Sequence, residues 1–340
     1  VTGSEAPPLT VAVTGPTGTF GTALVDRLEG DERIGRVVGI ARRPFDPATR
    51  GWAKLEYRQG DVRDVEALGA AFAGADVVVH LAFVITGHGA RHVIRAVNVD
   101  GTLNAFRAAA GAGAARFVYA SSVAAYGFHP DNPVGITEDW PTRPARHLFY
   151  AQEKAELEGL LAQESAAHPE LALYVLRPPV VLGPNSVGAK DLLPGPLAPL
   201  GRWLANRPAR SPLPVPVLAP DLALQFVHED DVADAFVRCI VAAGPPGAYN
   251  IAGDGVVTGP EVARELGLVP VPVPGRLVQA AARRLAPLTT LPLVPTPAQW
   301  VEAAARPAIM DTSKAKRELG WSPRYTSLEA LRATMATRGR

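Results

Sequence analysis

Short apolar runs alternate with amphipathic stretches through the first half of the chain. Leu9–Thr14 (LTVAVT) reads as a buried strand and leads into a glycine turn and a helix expected to end near Glu29. Comparable runs recur at 36–41, Leu55–Gln59, 75–80, Arg116–Ala120 and 171–176, with helical patterns between them at about 64–72, 91–111 and 150–166. Valine-rich runs separated by helices predict a parallel sheet with both faces covered. Right-handed crossovers then make it an α/β, Rossmann-type doubly wound sheet. Later in the chain, Asp230 and Asp231 sit near the start of an expected helix through Val241, where negative charge complements the dipole. Thr258 with Glu261, and Thr326 with Glu329, read as capping boxes that open two further helices.

Composition narrows the class. The 340 residues are 47% hydrophobic and 20% charged, the balance of a globular chain with a large core in one big domain or two closely joined ones. A net charge of +1 gives no electrostatic reason to expect nucleic acid or an anionic membrane as partner. The single cysteine, Cys239, excludes an intrachain disulfide framework and a cysteine metal site; its apolar helical surroundings predict a small buried thiol. The seven histidines form no ligand-spaced pairs with acids or cysteines, so no metal site is expected. Apolar runs stay shorter than the roughly 18 residues that span a membrane. The first eight residues lack the regions of a signal peptide, and the expected compartment is the cytoplasm.

Two places carry chemistry. Gly15, Thr17, Gly18, Thr19, Phe20 and Gly21 follow the first strand and open the first helix. Gly15 can take backbone angles a side chain forbids, Gly18 leaves room for a pyrophosphate, and Gly21 lets helix and strand pack closely. The free N–H groups of the helix start then face the phosphates. At the end of the second strand an acid would select NAD, whereas arginine accommodates the 2′-phosphate of NADP. Here stand Arg42 and Arg43, which either bind that phosphate, making NADP(H) the preferred cofactor with NAD(H) possible, or are solvated. Asp61, followed by Val62, either accepts from the adenine amino group or caps the next helix.

Tyr150 and Lys154 share one face of a helix at Y-x-x-x-K spacing. A free tyrosine has a pKa near ~10, and a cation one turn away favours the phenolate and lowers it. Ser121 and Ser122 end the fifth strand, at the sheet edge where ligands bind, where a hydroxyl can hydrogen-bond a substrate oxygen.

In order and spacing, TGPTGTFG (14–21), DV (61–62), HLA (80–82), NVDGTLN (98–104), YASSVAAYG (119–127), YAQEK (150–154), LRPPVVLGP (176–184), QFVHEDDVADAF (225–236), AYNIAGDG (248–255) and DTSKAKRELGWSP (311–323) cover nearly the whole chain. Together they resemble the extended branch of the short-chain dehydrogenase/reductase superfamily, the NAD(P)-dependent epimerase/dehydratase-like proteins. The resemblance implies an enzyme with a Ser122–Tyr150–Lys154 triad. Tyr150 would exchange the proton on the substrate oxygen, Ser122 would orient the carbonyl, and Lys154 would hydrogen-bond the nicotinamide ribose. Leu81 and Ala82 of the HLA stretch fall to the cofactor, residues 178–181 (Pro178 and Val180 among them) would border the carboxamide, and Asn98 is expected to be structural. A homodimer is frequent in the family.

The resemblance also frames the substrate. Nucleotide-sugar members carry an arginine just before the FVH stretch and an RPGD-like segment before the last D-x-S-K-A helix. This chain has Gln225 before Phe226 and runs from Arg306 to Asp311 without that segment, and a buried diphosphate without cations is costly. Phe83, Val84, Ile85, Val123, Phe128 and Trp203 are the expected pocket lining. Eight prolines fall within 194–220, which excludes continuous helix or strand. With Trp203, Leu204, Val215, Val217 and Leu218 as surface to bury, that segment is expected to lie, ordered and irregular, over the active site. Arg91, Arg95, His88 and His92 near the mouth either bind an acidic group or, the favoured reading, are solvated surface. The organisation expected is a cofactor domain over 1–182 and a mainly substrate-binding region over 183–340, smaller and mixed α+β, with 225–257 returning partly to the sheet. The favoured reading is an NADP(H)-dependent ketoreductase or alcohol dehydrogenase acting on an apolar small molecule such as a polyketide, steroid or terpenoid. The alternatives are a redox-neutral epimerase or dehydratase acting on a sugar or nucleotide-sugar, and a non-catalytic NADP sensor.

Overall fold

The computed structural model describes residues 7–85, 91–146, 148–185, 215–285 and 306–336. In chain order the first part contains β1 (Leu9–Thr14), α1 (Thr19–Glu29), β2 (Ile34–Ala41), β3 (Leu55–Gln59), α2 (Val65–Phe72), β4 (Val77–His80), α3 (Arg91–Arg95), α4 (Gly101–Gly111), β5 (Arg116–Ala120), α5 (Phe149–Ala167), β6 (Ala172–Arg177) and β7 (Val180–Leu182). The second contains β8 (Pro216–Pro220), β9 (Ala223–Leu224), β10 (Phe226–His228), α6 (Glu229–Ile240), β11 (Gly247–Asn250), β12 (Val257–Thr258), α7 (Gly259–Glu265), β13 (Val269–Val273), α8 (Gly275–Leu285), α9 (Ser313–Glu318) and α10 (Ser327–Ala336).

Seven strands form one parallel sheet in the order β11-β6-β5-β4-β1-β2-β3. Alternate side chains of one strand feed two separate cores, as a strand's period of two requires. Val11 and Val13 of β1 pack with Leu24 and Leu28 of α1 and with Phe236 of α6. Ala12 points the other way, into a layer with Leu68 and Phe72 of α2, Phe106 of α4 and Leu157 of α5. Cys239 is buried in the first layer, and burial pushes its thiol pKa up. The sheet is thus a doubly wound Rossmann-like fold, and its strand order reverses between β1 and β4. The crevice outside their carboxyl ends is where such folds bind ligands.

The helix expected over 91–111 is broken by one π turn at Ala96–Asp100, which turns Val97, Asn98 and Val99 into the protein. Asp230 and Asp231 lie in the first turn of α6, as expected, and Asp231 does more than complement the dipole. Its buried carboxylate accepts the backbone N–H groups of Arg324 (3.0 Å) and Tyr325 (3.1 Å), and its carbonyl accepts from the Trp321 indole (2.9 Å). It therefore fastens the C-terminal segment, and the His228 side chain caps α6. Thr258 and Glu261 form the expected capping box, and Thr326 and Glu329 exchange the same bonds at the start of α10.

Most of the proline-rich segment, Trp203 and Leu204 included, lies outside the described residues. Its end forms β8, paired in parallel with β13. Leu218 there is 72% exposed, and neither it nor Val215 or Val217 lines the cavity described below. Among the described residues no helix is long and apolar enough to cross a membrane.

Candidate active site

After β1 the chain turns at Gly15, whose φ of +71° suits glycine. The Gly15 N–H donates to the Ile40 carbonyl (2.9 Å), and the Gly18 N–H to the Gly15 carbonyl (3.1 Å). A Cβ at Gly21 would collide with the backbone of Gly15 and Pro16, whereas at Gly18 the nearest atom would be 3.4 Å away. Helix α1 thus seats on the turn, and space stays open beside Gly18. That helix starts with neither a side-chain cap nor an acidic residue in its first turn, so its N–H groups and positive dipole end can meet an anion. The turn fits a dinucleotide pyrophosphate.

A chain of hydrogen bonds fixes the loop that leaves β4. The Thr14 hydroxyl accepts from the N–H groups of Leu81 (3.1 Å) and Ala82 (3.2 Å), and lies 3.0 Å from His80 Nδ1. On the other side, His80 Nε2 lies 3.0 Å from the Thr102 hydroxyl, which donates to the Asn98 carbonyl (2.5 Å). Donor and acceptor counts assign the proton to Nε2: Thr102 has spent its hydrogen on Asn98, so His80 must donate to it. Burial lowers the His80 pKa to about 3, so the ring is neutral. Asn98, turned inward by the π turn, then pairs both backbone groups of Val84 and donates to Glu153 Oε2 (2.8 Å).

Ser122, Tyr150 and Lys154 meet beside this loop. The Ser122 side chain hydrogen-bonds the Tyr150 phenol, an interaction that works against the rise in phenol pKa caused by burial. Lys154 is 3% exposed; its ammonium donates to the Ala120 carbonyl (2.6 Å) and the Tyr119 hydroxyl (3.2 Å). Burial lowers its pKa to about 7, with Glu158 and Glu153 opposing. The expected depression of the phenol by Lys154 is not the dominant balance here. The ammonium is turned toward β5, 5.8 Å from the Tyr150 ring centroid, and burial with Ser122 governs the phenol.

Behind the triad runs a buried polar network that has no role in the sequence reading. Glu158 accepts from the Ser121 hydroxyl and pairs with the Arg177 guanidinium at 2.5 Å. Arg177 donates in turn to the Tyr126 hydroxyl (2.6 Å), which donates to Asn250 Oδ1 (2.8 Å). Ser121, Tyr126, Arg177 and Asn250 stand inside the motif strings and Glu158 stands outside them, and the strings alone do not show that they touch.

One cavity of about 610 Å³ joins the glycine turn to the Ser–Tyr–Lys cluster. Of the expected cofactor residues it is lined by Gly15, Gly18, Thr19, Phe20, Gly21, Leu81, Tyr150, Lys154 and Val180, and of the expected pocket residues by Phe83, Ile85, Val123 and Phe128. Val84 does not line it; Val84, Ala82 and Val62 pack into the core on the α2–α4 side of the sheet. Pro178 accepts the Val123 N–H (2.9 Å) through its carbonyl, and Thr17 is exposed. Arg42 and Arg43 are exposed beyond β2, outside the cavity, and form no salt bridge among the described residues. Asp61 is held by Arg63 (2.8 Å), which keeps its carboxyl below the usual range. It does not cap α2: Asp64 does, accepting from Glu66 and Ala67. Arg91 bonds Gln152, Arg95 pairs with Glu156, and His88 lies outside the described residues.

Arg306, in the sequence only the start of a stretch that lacks the RPGD-like segment, lines the cavity together with Pro307, Ala308 and Gln225. Gln225 accepts from the Met310 N–H (3.0 Å) and donates to the Met310 carbonyl (3.2 Å), fixing the strand of chain that carries Arg306. A cation thus stands in a wall where the sequence reading expects none.

The model of the NAD dependent epimerase/dehydratase family matches residues 11–252. The uncharacterized protein Rv0501 of Mycobacterium tuberculosis (strain ATCC 25618 / H37Rv) is 30% identical over 336 residues, 96% of this chain and 84% of that protein. Among solved structures, the Bordetella bronchiseptica enzyme WbmG in complex with NAD and UDP superposes with a TM-score of 0.72 at 20% identity, over 100% of this chain and 96% of that one. The dTDP-glucose 4,6-dehydratase of Bacillus anthracis str. Ames in complex with NAD gives a TM-score of 0.72 at 17% identity, over 97% and 96%.

Proposed function

Since the chain belongs to the NAD dependent epimerase/dehydratase family, we propose that it catalyses an NAD(P)-dependent, redox-neutral rearrangement at a carbinol centre of a sugar-like substrate bearing an anionic group. The observation that carries this reading is the continuity of one cavity from the glycine turn to Ser122, Tyr150 and Lys154. A nicotinamide dinucleotide, when bound, supplies a hydride acceptor and, in the return step, the donor. The turn and the start of α1 hold its pyrophosphate. Tyr150 takes the hydroxyl proton as the carbinol is oxidised and gives it back as the carbonyl is reduced, so protons and electrons balance over the cycle. Ser122 hydrogen-bonds the same oxygen as charge develops on it, and Lys154 binds the cofactor ribose. Arg42 and Arg43 support NADP over NAD, since both are exposed beyond β2 and neither is tied up in a salt bridge among the described residues.

Arg306 supports an anionic substrate group, because it is a half-buried arginine that lines the cavity, and a guanidinium recognises carboxylate or phosphate. The family is also better matched by epimerase or dehydratase chemistry than by the net reduction favoured from sequence. That second reading, reduction of an apolar ketone, keeps one observation on its side: Phe83, Ile85, Phe128 and Val180 make much of the wall apolar.

Incubation with sugar phosphates, nucleoside-diphosphate sugars and apolar ketones separates the two. The proposal expects a new sugar isomer or dehydrated sugar by NMR without net change in absorbance of the reduced nicotinamide. Stoichiometric consumption of reduced cofactor with ketones, and no sugar conversion, would replace it with the second reading.

A further inference from the structure

The groups that the Lys154 ammonium touches directly are neutral. Two of its three N–H bonds go to the Ala120 carbonyl and the Tyr119 hydroxyl. The face of Phe83 also packs on it, with the ring centroid 3.6 Å from Nζ, closer than the Tyr119 centroid at 4.7 Å. The same Phe83 ring meets Tyr150 edge-on, at 5.6 Å and 88° between planes. One aromatic side chain therefore touches both the acid–base phenol and the cation one turn from it.

The charged and titratable groups around Lys154 do not take over this task. Glu153 is hydrogen-bonded to Asn98, and Glu158 to Ser121 and Arg177, so both act on the ammonium only at a distance. His80, on the neighbouring strand, is neutral. Tyr119 and Tyr150 are buried phenols with raised pKa values, hence uncharged near neutrality. A desolvated cation without a bonded carboxylate gains most from a π face, where the ring quadrupole attracts it. Phe83 is itself fixed, because Leu81 and Ala82 are bonded to Thr14 and Val84 to Asn98.

We propose that Phe83 is a positioning residue for the acid–base pair: its face keeps the buried Lys154 ammonium charged and aimed, and its edge fixes the Tyr150 ring. This rests on the reaction proposed above, but its test does not need a substrate. Proton affinity of Lys154 is read directly by NMR of enzyme labelled at lysine 13Cε, with the signal assigned by its loss in Lys154→Met. Phe83→Leu is expected to lower the Lys154 midpoint by about one pH unit, with Phe83→Trp and Phe83→Tyr holding it near wild type. If Phe83→Leu folds and titrates as wild type does, or if Trp and Tyr fail like Leu although folded, the proposal is overturned. Should Leu not fold, the Tyr and Trp variants alone decide, since a shifted midpoint in both contradicts the role. Absence of turnover on every substrate would sink the proposed reaction and leave this titration intact. Where turnover is found, the alkaline limb of kcat moves to lower pH in Phe83→Leu, because a lysine needed in its charged form is lost as pH rises through its pKa.

Discussion

Asn98 accepts the Val84 N–H at 2.7 Å and donates to the Val84 carbonyl at 3.0 Å, so one side chain holds both backbone groups of a single residue in the loop beyond β4. That loop carries Phe83 and Ile85 into the cavity. Asn98→Ala leaves the Val84 groups and Glu153 without these bonds, and unmaking a buried hydrogen bond costs about 1–3 kcal/mol. Urea unfolding is expected to show a loss of that order.

The glycine turn predicts a contrast between two alanine substitutions. At Gly21 a Cβ meets immovable backbone, while at Gly111 nothing lies within 4 Å. Overpacking of this kind costs about 1–3 kcal/mol. Gly21→Ala should lower Tm and weaken dinucleotide binding at least tenfold, on the order of 1.4 kcal/mol. Gly111→Ala, at the end of α4, should leave both within error. Calorimetry and fluorescence titration with NADPH check the pair.

His80 makes stability depend on pH. Its folded pKa of about 3 lies below the ordinary 6.5, so between those values the unfolded chain binds a proton that the folded chain refuses. Stability from this group is complete above about pH 6.5 and is lost as pH falls, by ~1.4 kcal/mol per unit for one proton. Comparing wild type with His80→Asn by urea midpoints from pH 7 to pH 5 should show the wild-type curve falling more steeply. Parallel curves would contradict the neutral assignment.

Arg42 and Arg43 predict cofactor choice. Replacing both with alanine should reduce kcat/KM for NADP(H) by roughly 10–100-fold, the worth of one or two charge-assisted hydrogen bonds. The value for NAD(H) should change much less. Equal loss with both cofactors would mean that the arginines do not read the 2′-phosphate.

How much of this was legible in the sequence follows from which contacts are local. Six of the seven strands of the main sheet fall where the sequence pattern places them, Leu55–Gln59 and Arg116–Ala120 with the predicted boundaries; β11 (Gly247–Asn250) is legible only as part of the stretch 225–257 expected to return to the sheet. The glycine turn and the Tyr150/Lys154 spacing are read within a few residues of chain. The partners that tune them are not. Asp231 serves residues 93 and 94 positions away, and Gln225 holds Met310 across 85. No local pattern says that Lys154 faces Phe83 rather than the Tyr150 phenol, or that Arg306 reaches the cavity wall. The helix cap after Asp61 failed for a related reason. Asp61 and Asp64 are both chemically able to cap; Asp64, extended and directly before Val65, accepts from Glu66 and Ala67, while Asp61 is taken up by Arg63.

The account rests on Tyr150 exchanging a proton in the cavity that the glycine turn opens into. The most direct measurement is turnover of Tyr150→Phe, on whichever substrate of the panel the wild type converts, alongside its affinity for NADPH. General acid–base catalysis contributes about 10²–10⁴-fold. The expected result is a kcat lower by that factor, with the dissociation constant for NADPH unchanged within about threefold, a free-energy difference under about 0.7 kcal/mol. Wild-type turnover in this variant would contradict the account.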